Sequence, residues 1–344
     1  MDKLSDLISS IDDMVWGIPL IVLILFCGIL LTFRLGFLQV RRLGTALKYM
    51  LKDEEQGHGE VSSFAALCTA LSATVGTGNI VGVATAIAAG GPGALFWMEV
   101  AAFFGMATKY AEGLLAIKYR ITDANGDILG GPFYYIQNGM GKKWKWLGKL
   151  FALFGLLAGL MGIGTITRIN GISSAVKNYF DPQSAKTISL LGHDYSLAIV
   201  ISGAVITLLV ALITIGGLQR IASVTQVVVP AMIVAYFASC LIIIGGHLAE
   251  IPAAVVEIIK SAFGLRAAVG GAAGTALMLA MRNGVARGIF SNEAGLGSAP
   301  IAAAAARTKE PVRQGLVTMT GTFIDTIIVC TMTGISIVIA GSHK

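Results

Sequence analysis

The stretch Ala73-Thr-Val-Gly-Thr-Gly-Asn79 is the part of the sequence that most clearly indicates a fold. It lies near the middle of residues 61–98, a run without any charged residue, and it places glycines and polar side chains where a membrane helix would carry leucines. An unsatisfied peptide group in hydrocarbon costs several kcal/mol, so a helix is interrupted at that depth only where its free groups have a partner. We therefore predict that this helix unwinds at 76–79 and holds a small polar ligand there.

The peptide groups freed by such an interruption differ in what they can bind. The amides of Thr77 and Gly78 would face an anion such as a carboxylate, because they begin the second half of the helix. The carbonyls of Thr74 and Val75 end the first half and could bind a cation or an ammonium group. The sequence thus predicts an anion site and a cation site side by side.

A second apolar run contains a comparable stretch, Gly270-Gly-Ala-Ala-Gly-Thr275, and we predict that Gly274 and Thr275 face the same substrate. Two interrupted helices in successive blocks of a chain are typical of inverted-repeat transporters. The alternative is that the glycines only allow close helix packing, since Gly78 with Gly82 and Gly270 with Gly274 have GxxxG spacing. Packing accounts for the glycines but not for the polar side chains of Thr77 and Asn79.

The composition shows which solvent the chain is built for. Of its 344 residues, 55% are hydrophobic, only 13% are charged and 43 are glycine, and the mean hydropathy is +0.79. Soluble domains carry about 25% charged residues, so this chain cannot cover a compact particle with polar surface. The net charge of +6 comes from short basic clusters between apolar runs, without interleaved aromatic residues that would stack on bases, which argues against a nucleic-acid partner. The lipid bilayer is the predicted surrounding.

The cysteines and histidines give no sign of a metal centre. The cysteines are Cys27, Cys68, Cys240 and Cys330, all in apolar runs, and the histidines are His58, His193, His247 and His343, all in or beside polar connections. No CxxC pair and no histidine at metal-ligand spacing occurs, so neither a zinc site nor an organic cofactor is expected. The acidic N-terminus precedes an apolar run of full spanning length, which argues against a cleaved signal peptide.

Charge-poor stretches long enough to span a bilayer divide the chain into blocks. They are 14–33, 62–89, 94–116, 150–176, 196–218, 221–246, 267–290 and 315–340. We interpret 14–33 as an extra N-terminal transmembrane helix, 62–246 as a five-helix repeat, and 267–341 as the first two helices of a second repeat. Segments 1–13 and 251–264 carry apolar residues at helical spacing and are predicted to be interfacial helices on the outer side.

The lysines and arginines predict the orientation of these spans. Counted by alternating sides, 17 of the 25 fall on one side and 6 on the other, and Lys109 and Arg168 lie within spans. The positive-inside rule then places the N-terminus outside a cytoplasmic membrane.

Four stretches resemble the alanine or glycine:cation symporter family of bacterial and archaeal sodium-coupled amino-acid transporters. They are Thr69-Ala-Leu-Ser-Ala-Thr-Val-Gly-Thr-Gly-Asn79, Gly90-Gly-Pro-Gly-Ala-Leu-Phe-Trp-Met98, Gly130-Gly-Pro-Phe-Tyr-Tyr135 and Phe290-Ser-Asn-Glu-Ala-Gly-Leu-Gly-Ser-Ala-Pro300. The resemblance covers the whole chain. It implies an all-α polytopic membrane protein with a LeuT-type fold, in which one extra N-terminal helix precedes a five-plus-five inverted repeat, and inward transport of alanine or glycine with Na⁺.

The resemblance also implies roles for single residues. Similarity to the unwound helix of neurotransmitter:sodium symporters implies that Thr77 and Gly78 meet the substrate carboxylate, and that Thr74 and Asn79 meet sodium. The chain departs from the family pattern at Glu99, where an aromatic residue is expected and where the headgroups are within reach. It also has only two helices in its second repeat, which predicts a C-terminal truncation that removes part of the substrate pocket.

Arg168 is the third departure, since the resemblance implies an uncharged amide there. A charge within a span usually faces a cavity or a partner. We expect Arg168 and the nearby Asn170 to contact the substrate, in which case the substrate could be larger or more polar than alanine. The alternatives are a salt bridge from Arg168 to Glu99 or Asp325, or a side chain that reaches outward to the interface.

Asp325 is predicted to lie near the bilayer midplane. It follows Arg313, at the inner end of its span, by twelve residues, or about 18 Å of helix. Sodium prefers oxygen ligands, and a carboxylate would balance its charge. Asp325 with Asn79 and the Thr74 carbonyl is therefore a candidate site for Na⁺ or a proton, and the alternatives are a buried ion pair or hydrogen bonds between packed helices.

These features favour a secondary transporter over other classes of membrane protein. The sequence lacks a phosphate-binding loop, a GxSxG or HExxH motif and a histidine within a span, which argues against an ATP-driven pump or an enzyme. A channel is less favoured because no span has enough polar positions to line a pore. The expected partners are a small amino acid, Na⁺ or in its place H⁺, and the lipid bilayer.

Overall fold

The described chain is almost entirely helical. The computed structural model describes residue 6 and residues 18–52, 57–162, 164–190, 192–264 and 273–342. The α-helices are α1 Ile18–Arg34, α2 Leu38–Arg41, α3 Leu43–Leu51, α4 Ser63–Thr74, α5 Val83–Gly90, α6 Gly93–Lys118, α7 Pro132–Gly139, α8 Lys145–Leu160, α9 Thr165–Phe180, α10 Leu197–Thr214, α11 Gly217–Gly245, α12 Ile251–Ala262, α13 Ala273–Asn292, α14 Ala299–Ala304, α15 Pro311–Thr322 and α16 Thr331–Ile339.

Shorter elements complete the described structure. They are two π-helical segments, π1 Gly78–Gly82 and π2 Phe323–Cys330, two 3-10 turns at Lys142–Trp144 and Leu248–Glu250, and two antiparallel hairpins, β1 Ile121–Thr122 with β2 Ile128–Leu129 and β3 Thr187–Leu190 with β4 His193–Ser196. The sequence predicts only a polar loop over 178–195, where the structure has the second hairpin.

Five helical segments of the described chain are long and apolar enough to cross a membrane. They are Gly93–Lys118, Lys142–Phe180, Leu197–Thr214, Gly217–Gly245 and Pro311–Ile339, and the bent pair Ser63–Thr74 and Gly78–Gly90 makes a sixth. The sequence predicts eight spans. Helix α1 has only 17 residues, and the helix that covers most of the predicted span 267–290 is not among the six. The structure thus supports a multi-pass membrane protein.

Helix α6 lies at the centre of the fold and contacts α1, α12, α13 and α15. Its small residues allow this close packing: a Cβ added at Gly105 would stand 3.1 Å from the Cβ of Ala294. Met98 and Met106 fill the space between the neighbouring helices and are almost fully buried. Membrane helices pack most closely where side chains are small, so α6 is the scaffold against which the other helices are placed.

The predicted interruption of the second span is confirmed. Helix α4 ends at Thr74, helical structure resumes at Gly78, and the two halves are bent by 54°. The backbone at Val75 is extended, with φ −73° and ψ 118°.

The second broken helix has a break that was not predicted from the sequence. Residues 270–272 lie outside the described residues, and Ala273 to Thr275 form the first turn of α13. The break lies at the other end of α13, where Glu293, Gly295 and Gly297 have positive φ values of 53°, 88° and 82° before α14 begins. Glycine favours this left-handed backbone because it has no Cβ.

The two broken helices run antiparallel and meet at their breaks. Gly90, at the end of α5, packs on the backbone of Ala280 near the start of α13. Val61, just before α4, forms a parallel bridge with Ala306 just after α14. Between these ends, Asn79 contacts Ser291, so the two interruptions lie at the same depth.

Two other spans also differ from continuous helices. The predicted span 150–176 is divided between α8 and α9, with Gly162 and Gly164 at φ values of 64° and 82°. The last span widens into π2 in its middle, around Asp325. Extra residues of this kind inside an α-helix are frequent at functional sites.

The two predicted interfacial helices have different outcomes. Apart from Asp6, segment 1–13 lies outside the described residues. Segment 251–264 contains α12, whose residues Ala254, Ile258 and Ala262 are buried. Ala262 packs directly on Gly93 at the start of α6. Much of the apolar face of α12 is therefore covered by protein.

The contact between α12 and α6 gives a stability prediction. A Cβ at Gly93 would stand 2.2 Å from the backbone nitrogen of Ala262. We expect Gly93→Ala to displace α12 and to destabilise the protein by about 1–3 kcal/mol, the usual range for overpacking. A thermal unfolding curve in detergent should show a midpoint several degrees lower. The control is Gly155→Ala in α8, where an added Cβ has no neighbour within 4 Å; equal midpoints for the two variants would contradict the prediction.

Candidate functional site

The break between α4 and π1 is organised by one side chain. The side-chain oxygen of Asn79 accepts a hydrogen bond of 2.7 Å from the backbone amide of Gly76. The backbone amide of Asn79 donates to the carbonyl of Gly76 at 3.2 Å. At the other end of α4, the hydroxyl of Ser62 accepts from the amide of Ala65 and fixes where the helix begins. Asn79 thus stabilises a turn that helical hydrogen bonds cannot close.

The same asparagine joins both broken helices to the last span. The side-chain amide nitrogen of Asn79 donates to the Ser291 hydroxyl at 3.0 Å and to the Asp325 carboxylate at 2.9 Å. The Ser291 hydroxyl donates to the second Asp325 oxygen at 2.9 Å, and the Thr326 hydroxyl donates to that oxygen at 2.8 Å. Asn79 and Asp325 have no exposed surface. The sequence-based pairing of Asn79 with Asp325 therefore corresponds to a direct hydrogen bond.

Further polar groups surround this network in the protein interior. The Asn292 side chain donates to the Thr326 hydroxyl at 3.2 Å and accepts from the amide of Ala294 at 3.0 Å. The hydroxyl oxygen of Thr322, one helical turn before Asp325, is buried without a hydrogen-bond partner. Buried polar atoms are normally paired, so the unpaired Thr322 oxygen is an acceptor available to a further ligand.

A cavity of about 310 Å³ opens beside the first break, on the side of the bilayer where α12 lies. Among its lining residues are Thr77, Gly78 and Asn170, three of the predicted substrate-binding residues. We call it the α9 cavity, and its lining residues are Thr77, Gly78, Val81, Gly82, Thr85, Thr167, Asn170, Gly171, Arg287 and Phe290.

Seven of the ten residues that line the α9 cavity were not predicted as site residues, among them Arg287 and Phe290. The Arg287 guanidinium lies 5.9 Å from the centre of the Phe290 ring, and both side chains come from α13. The sequence places Arg287 near the end of the predicted span 267–290, with no sign that it lies beside the first break. Because α13 runs antiparallel to α5, this part of the helix lies beside the break, and only the tertiary structure makes that evident.

Arg168 does not line the α9 cavity, although its neighbours in α9 do. Its guanidinium donates a hydrogen bond to the carbonyl of Ala73, in the last turn of α4. The described partner of Arg168 is thus a backbone carbonyl, which differs from both alternatives, a salt bridge or an outward-reaching side chain. The contact between Arg168 and the substrate stays a prediction. A carbonyl at the C-terminal end of a half-helix carries partial negative charge and attracts a cation.

The remaining predicted residues lie at different distances from the break. Thr74 is buried and its hydroxyl donates to the Leu71 carbonyl at 3.4 Å, and Val75 shares a small apolar cavity of about 50 Å³ with Asn79. Thr275 and Gly274 are at the start of α13, and about 24 Å of helix separates Thr275 from Ser291. The structure therefore does not bring Gly274 and Thr275 to the site.

Two acidic residues near the site have distinct environments. Both carboxylate oxygens of Glu99 are buried, beside the side chain of Thr331 and within electrostatic range of Asp325. The sequence suggested that Glu99 reaches the headgroups, but its carboxylate lies in the protein interior. Glu293 accepts a hydrogen bond from the Ser298 hydroxyl and closes the second break.

Comparisons with known proteins agree with this architecture. The family model described as "Sodium:alanine symporter family" matches residues 1–344. The chain is 54% identical over 339 residues to an uncharacterized transporter of Haemophilus influenzae, covering 98% of this chain and 71% of that protein. It is 48% identical over 347 residues to a sodium/alanine symporter of Methanococcus maripaludis, with coverage of 99% and 72%. It is 39% identical over 341 residues to a probable sodium/glutamine symporter of Bacillus subtilis, with coverage of 99% and 66%.

Proposed function

The chain belongs to the sodium:alanine symporter family, and we propose that it couples inward transport of a small neutral amino acid, alanine or glycine, to Na⁺ across the cytoplasmic membrane. The members of this family are membrane transporters and not enzymes. The main support for the proposal is the pair of antiparallel broken helices whose interruptions meet at Asn79 and Ser291. Such pairs mark the binding site in inverted-repeat transporters.

The α9 cavity is the proposed substrate site. Its volume of about 310 Å³ is at the lower end of the range for ligand pockets, which suits a small molecule. Thr77 and Gly78 stand at the N-terminal end of the second half-helix, where partial positive charge favours a carboxylate. Arg287 adds a full positive charge to the opposite wall. The cavity is therefore suited to the carboxylate end of an amino acid.

The network around Asp325 is the proposed cation site. Asp325 supplies a buried negative charge, and the free oxygen of Thr322 supplies an unused acceptor one turn away. Hard cations such as Na⁺ prefer oxygen ligands, and a cation would offset the cost of burying the carboxylate. The carbonyls of Thr74 and Val75 end the half-helix next to Asn79 and remain candidate ligands.

The topology supports a LeuT-type repeat with the β1–β2 hairpin on the cytoplasmic side. The antiparallel placement of the two broken helices is what an inverted repeat requires. The basic residues near α4, α7 and α14 favour that side as cytoplasmic. The N-terminus would then be outside the cell.

Uptake of labelled alanine into proteoliposomes tests the proposal. We expect accumulation when an inward Na⁺ gradient is imposed and little uptake when K⁺ replaces Na⁺. An excess of unlabelled glutamine separates a narrow substrate range from the wider one that the Bacillus subtilis relative suggests. Accumulation driven by a pH gradient without Na⁺ would assign the coupling to H⁺, and flux that ignores both gradients would favour a channel.

A further inference from the structure

A second large cavity lies on the other side of the first break. It has a volume of about 460 Å³ and lies between α4, α14, α7 and the β1–β2 hairpin. Ala70 and Ala73 of α4 line it, together with Phe133, Ser298 and residues of α14. We call it the hairpin cavity.

The two cavities extend from the break toward opposite faces of the membrane. The α9 cavity follows π1 and α5 as far as Thr85, toward the end of the fold where α12 packs on Gly93. The hairpin cavity follows α4 from Ala73 back toward its start, near β2. A molecule that crosses the protein along the first broken helix would have to pass from one cavity into the other.

Arg168 stands between these cavities. Its neighbours Thr167 and Asn170 line the α9 cavity, and its hydrogen-bond partner Ala73 lines the hairpin cavity. The side chain therefore bridges α9 to the end of α4 at the level of the break. It is only partly buried, and its one described hydrogen bond is to a neutral carbonyl.

We propose that Arg168 is a gate between the α9 cavity and the hairpin cavity, and that the carboxylate of the amino acid opens it by displacing the guanidinium from the Ala73 carbonyl. A hydrogen bond between two charged groups is roughly twice as strong as one between neutral groups, so a carboxylate competes effectively with a carbonyl. Guanidinium also matches the shape of a carboxylate with two parallel donors. The inference that substrate opens the gate rests on the proposed function, whereas the separation of the two cavities does not.

Cysteine accessibility tests the separation directly. Thr85→Cys reports on the α9 cavity and Ala70→Cys on the hairpin cavity, each compared with protein that has only its native cysteines. A membrane-impermeant thiol reagent is applied to intact cells and to inverted vesicles. With Arg168 present, we expect each cysteine to be labelled from one side only, and the two from opposite sides. With Arg168→Ala, we expect labelling of both from either side.

Transport assays test the coupling. In proteoliposomes, Arg168→Ala should lower Na⁺-driven accumulation of alanine about tenfold while downhill efflux from loaded vesicles rises, because an open barrier dissipates the gradient. Lys177→Gln, which removes a charge from the far end of the same helix, should leave both unchanged. In the Ala70→Cys protein that keeps Arg168, adding alanine should increase labelling of the cysteine from the side of the α9 cavity.

The results distinguish failure of the gate from failure of the proposed function. If each cysteine is still labelled from one side only in Arg168→Ala, the gate is overturned. The same holds if Arg168→Ala keeps the wild-type unfolding midpoint but loses downhill efflux. If Arg168→Ala is labelled from both sides but the wild-type protein takes up no amino acid, the barrier at Arg168 stands. The proposed function and the role of the carboxylate are then overturned.

Discussion

Asp325→Asn is expected to abolish the sodium dependence of amino-acid uptake. The variant keeps the shape of the side chain but removes the only negative charge in the hydrogen-bonded network that joins Asn79, Ser291 and Thr326. One of its two terminal atoms becomes a donor and faces groups that already donate. The sodium concentration for half-maximal uptake should rise at least about tenfold, which corresponds to 1.4 kcal/mol of lost cation binding.

The reason is electrostatic. Asp325 has no exposed surface, so water cannot replace a missing cation or a missing carboxylate. Removing one partner of a buried pair of charges is strongly destabilising, because the other is left without compensation. Sodium would then enter a site of neutral oxygens, such as that of Thr322, which cannot offset its loss of hydration.

Glu112→Gln is the matched control for this prediction. It also replaces a buried carboxylate by its amide, but Glu112 is not part of the Asp325 network and accepts a hydrogen bond of 3.2 Å from the amide of Gly297 in the second break. Uptake is measured at several Na⁺ concentrations with alanine held constant. If Asp325→Asn keeps the wild-type sodium dependence, the cation site lies elsewhere in the protein.

The sequence was sufficient to predict the first break and its main partner. Gly76 and Gly78 beside Thr77 and Asn79 are local signals, since they show where a helix is weak and where polar atoms are available. The depth of Asp325 also follows from local counting along one helix. Both predictions depend on residues close together in the chain, which is why their positions agree with the structure.

The break at residues 293–297 was not predicted, for a physical reason. Gly270, Gly271 and Gly274 were interpreted as a weak point, whereas Glu293, Gly295 and Gly297 come after residue 290, the predicted end of that span. The depth of a glycine depends on where its helix begins and how it packs against its neighbour, and the sequence does not give this directly. The polar residues next to Gly295 and Gly297, with Pro300 shortly after, were the available signal.

The contacts of single side chains were the least predictable. Arg168 was predicted to contact the substrate because a charge within a span needs a partner, and the sequence did not indicate that the Ala73 carbonyl would be such a partner. A backbone carbonyl becomes available only when a helix ends near the charge in space. The same limit applies to Ser291 and Thr322, whose importance depends on the packing of α13 and π2 against the first break.

Arg120→Ala is expected to have the largest effect on stability of the substitutions considered. Its guanidinium donates to the carbonyls of Ala304 and Ala306 at 2.7 Å each, to that of Thr308 at 2.8 Å, and to that of His58. It thereby ties the segment before α4 to the segment after α14. Burial lowers the pKa of this guanidinium, yet arginine remains charged at neutral pH.

Removing the side chain leaves four carbonyls without this donor. Each unsatisfied buried group costs about 1–3 kcal/mol, and water reaches some of them because the site is only partly buried. A net loss of a few kcal/mol should lower the unfolding midpoint in detergent by on the order of 5–10 °C. Arg120→Lys should recover only part of this, because an ammonium group lacks the planar fork that reaches several carbonyls at once.

Lys118→Ala provides the comparison for the loss of positive charge. Lys118 is exposed and its ammonium group lies 5.4 Å from the centre of the Tyr119 ring, so its removal should change stability by less than about 0.5 kcal/mol. Arg120 holds together the start of the first broken helix and the end of the second, both on the hairpin side. Its loss should therefore also make Ala70→Cys in the hairpin cavity react faster with a thiol reagent from the hairpin side. Equal midpoints and equal labelling rates in the Arg120 and Lys118 variants would mean that the bridge between Val61 and Ala306 holds these ends together without the guanidinium.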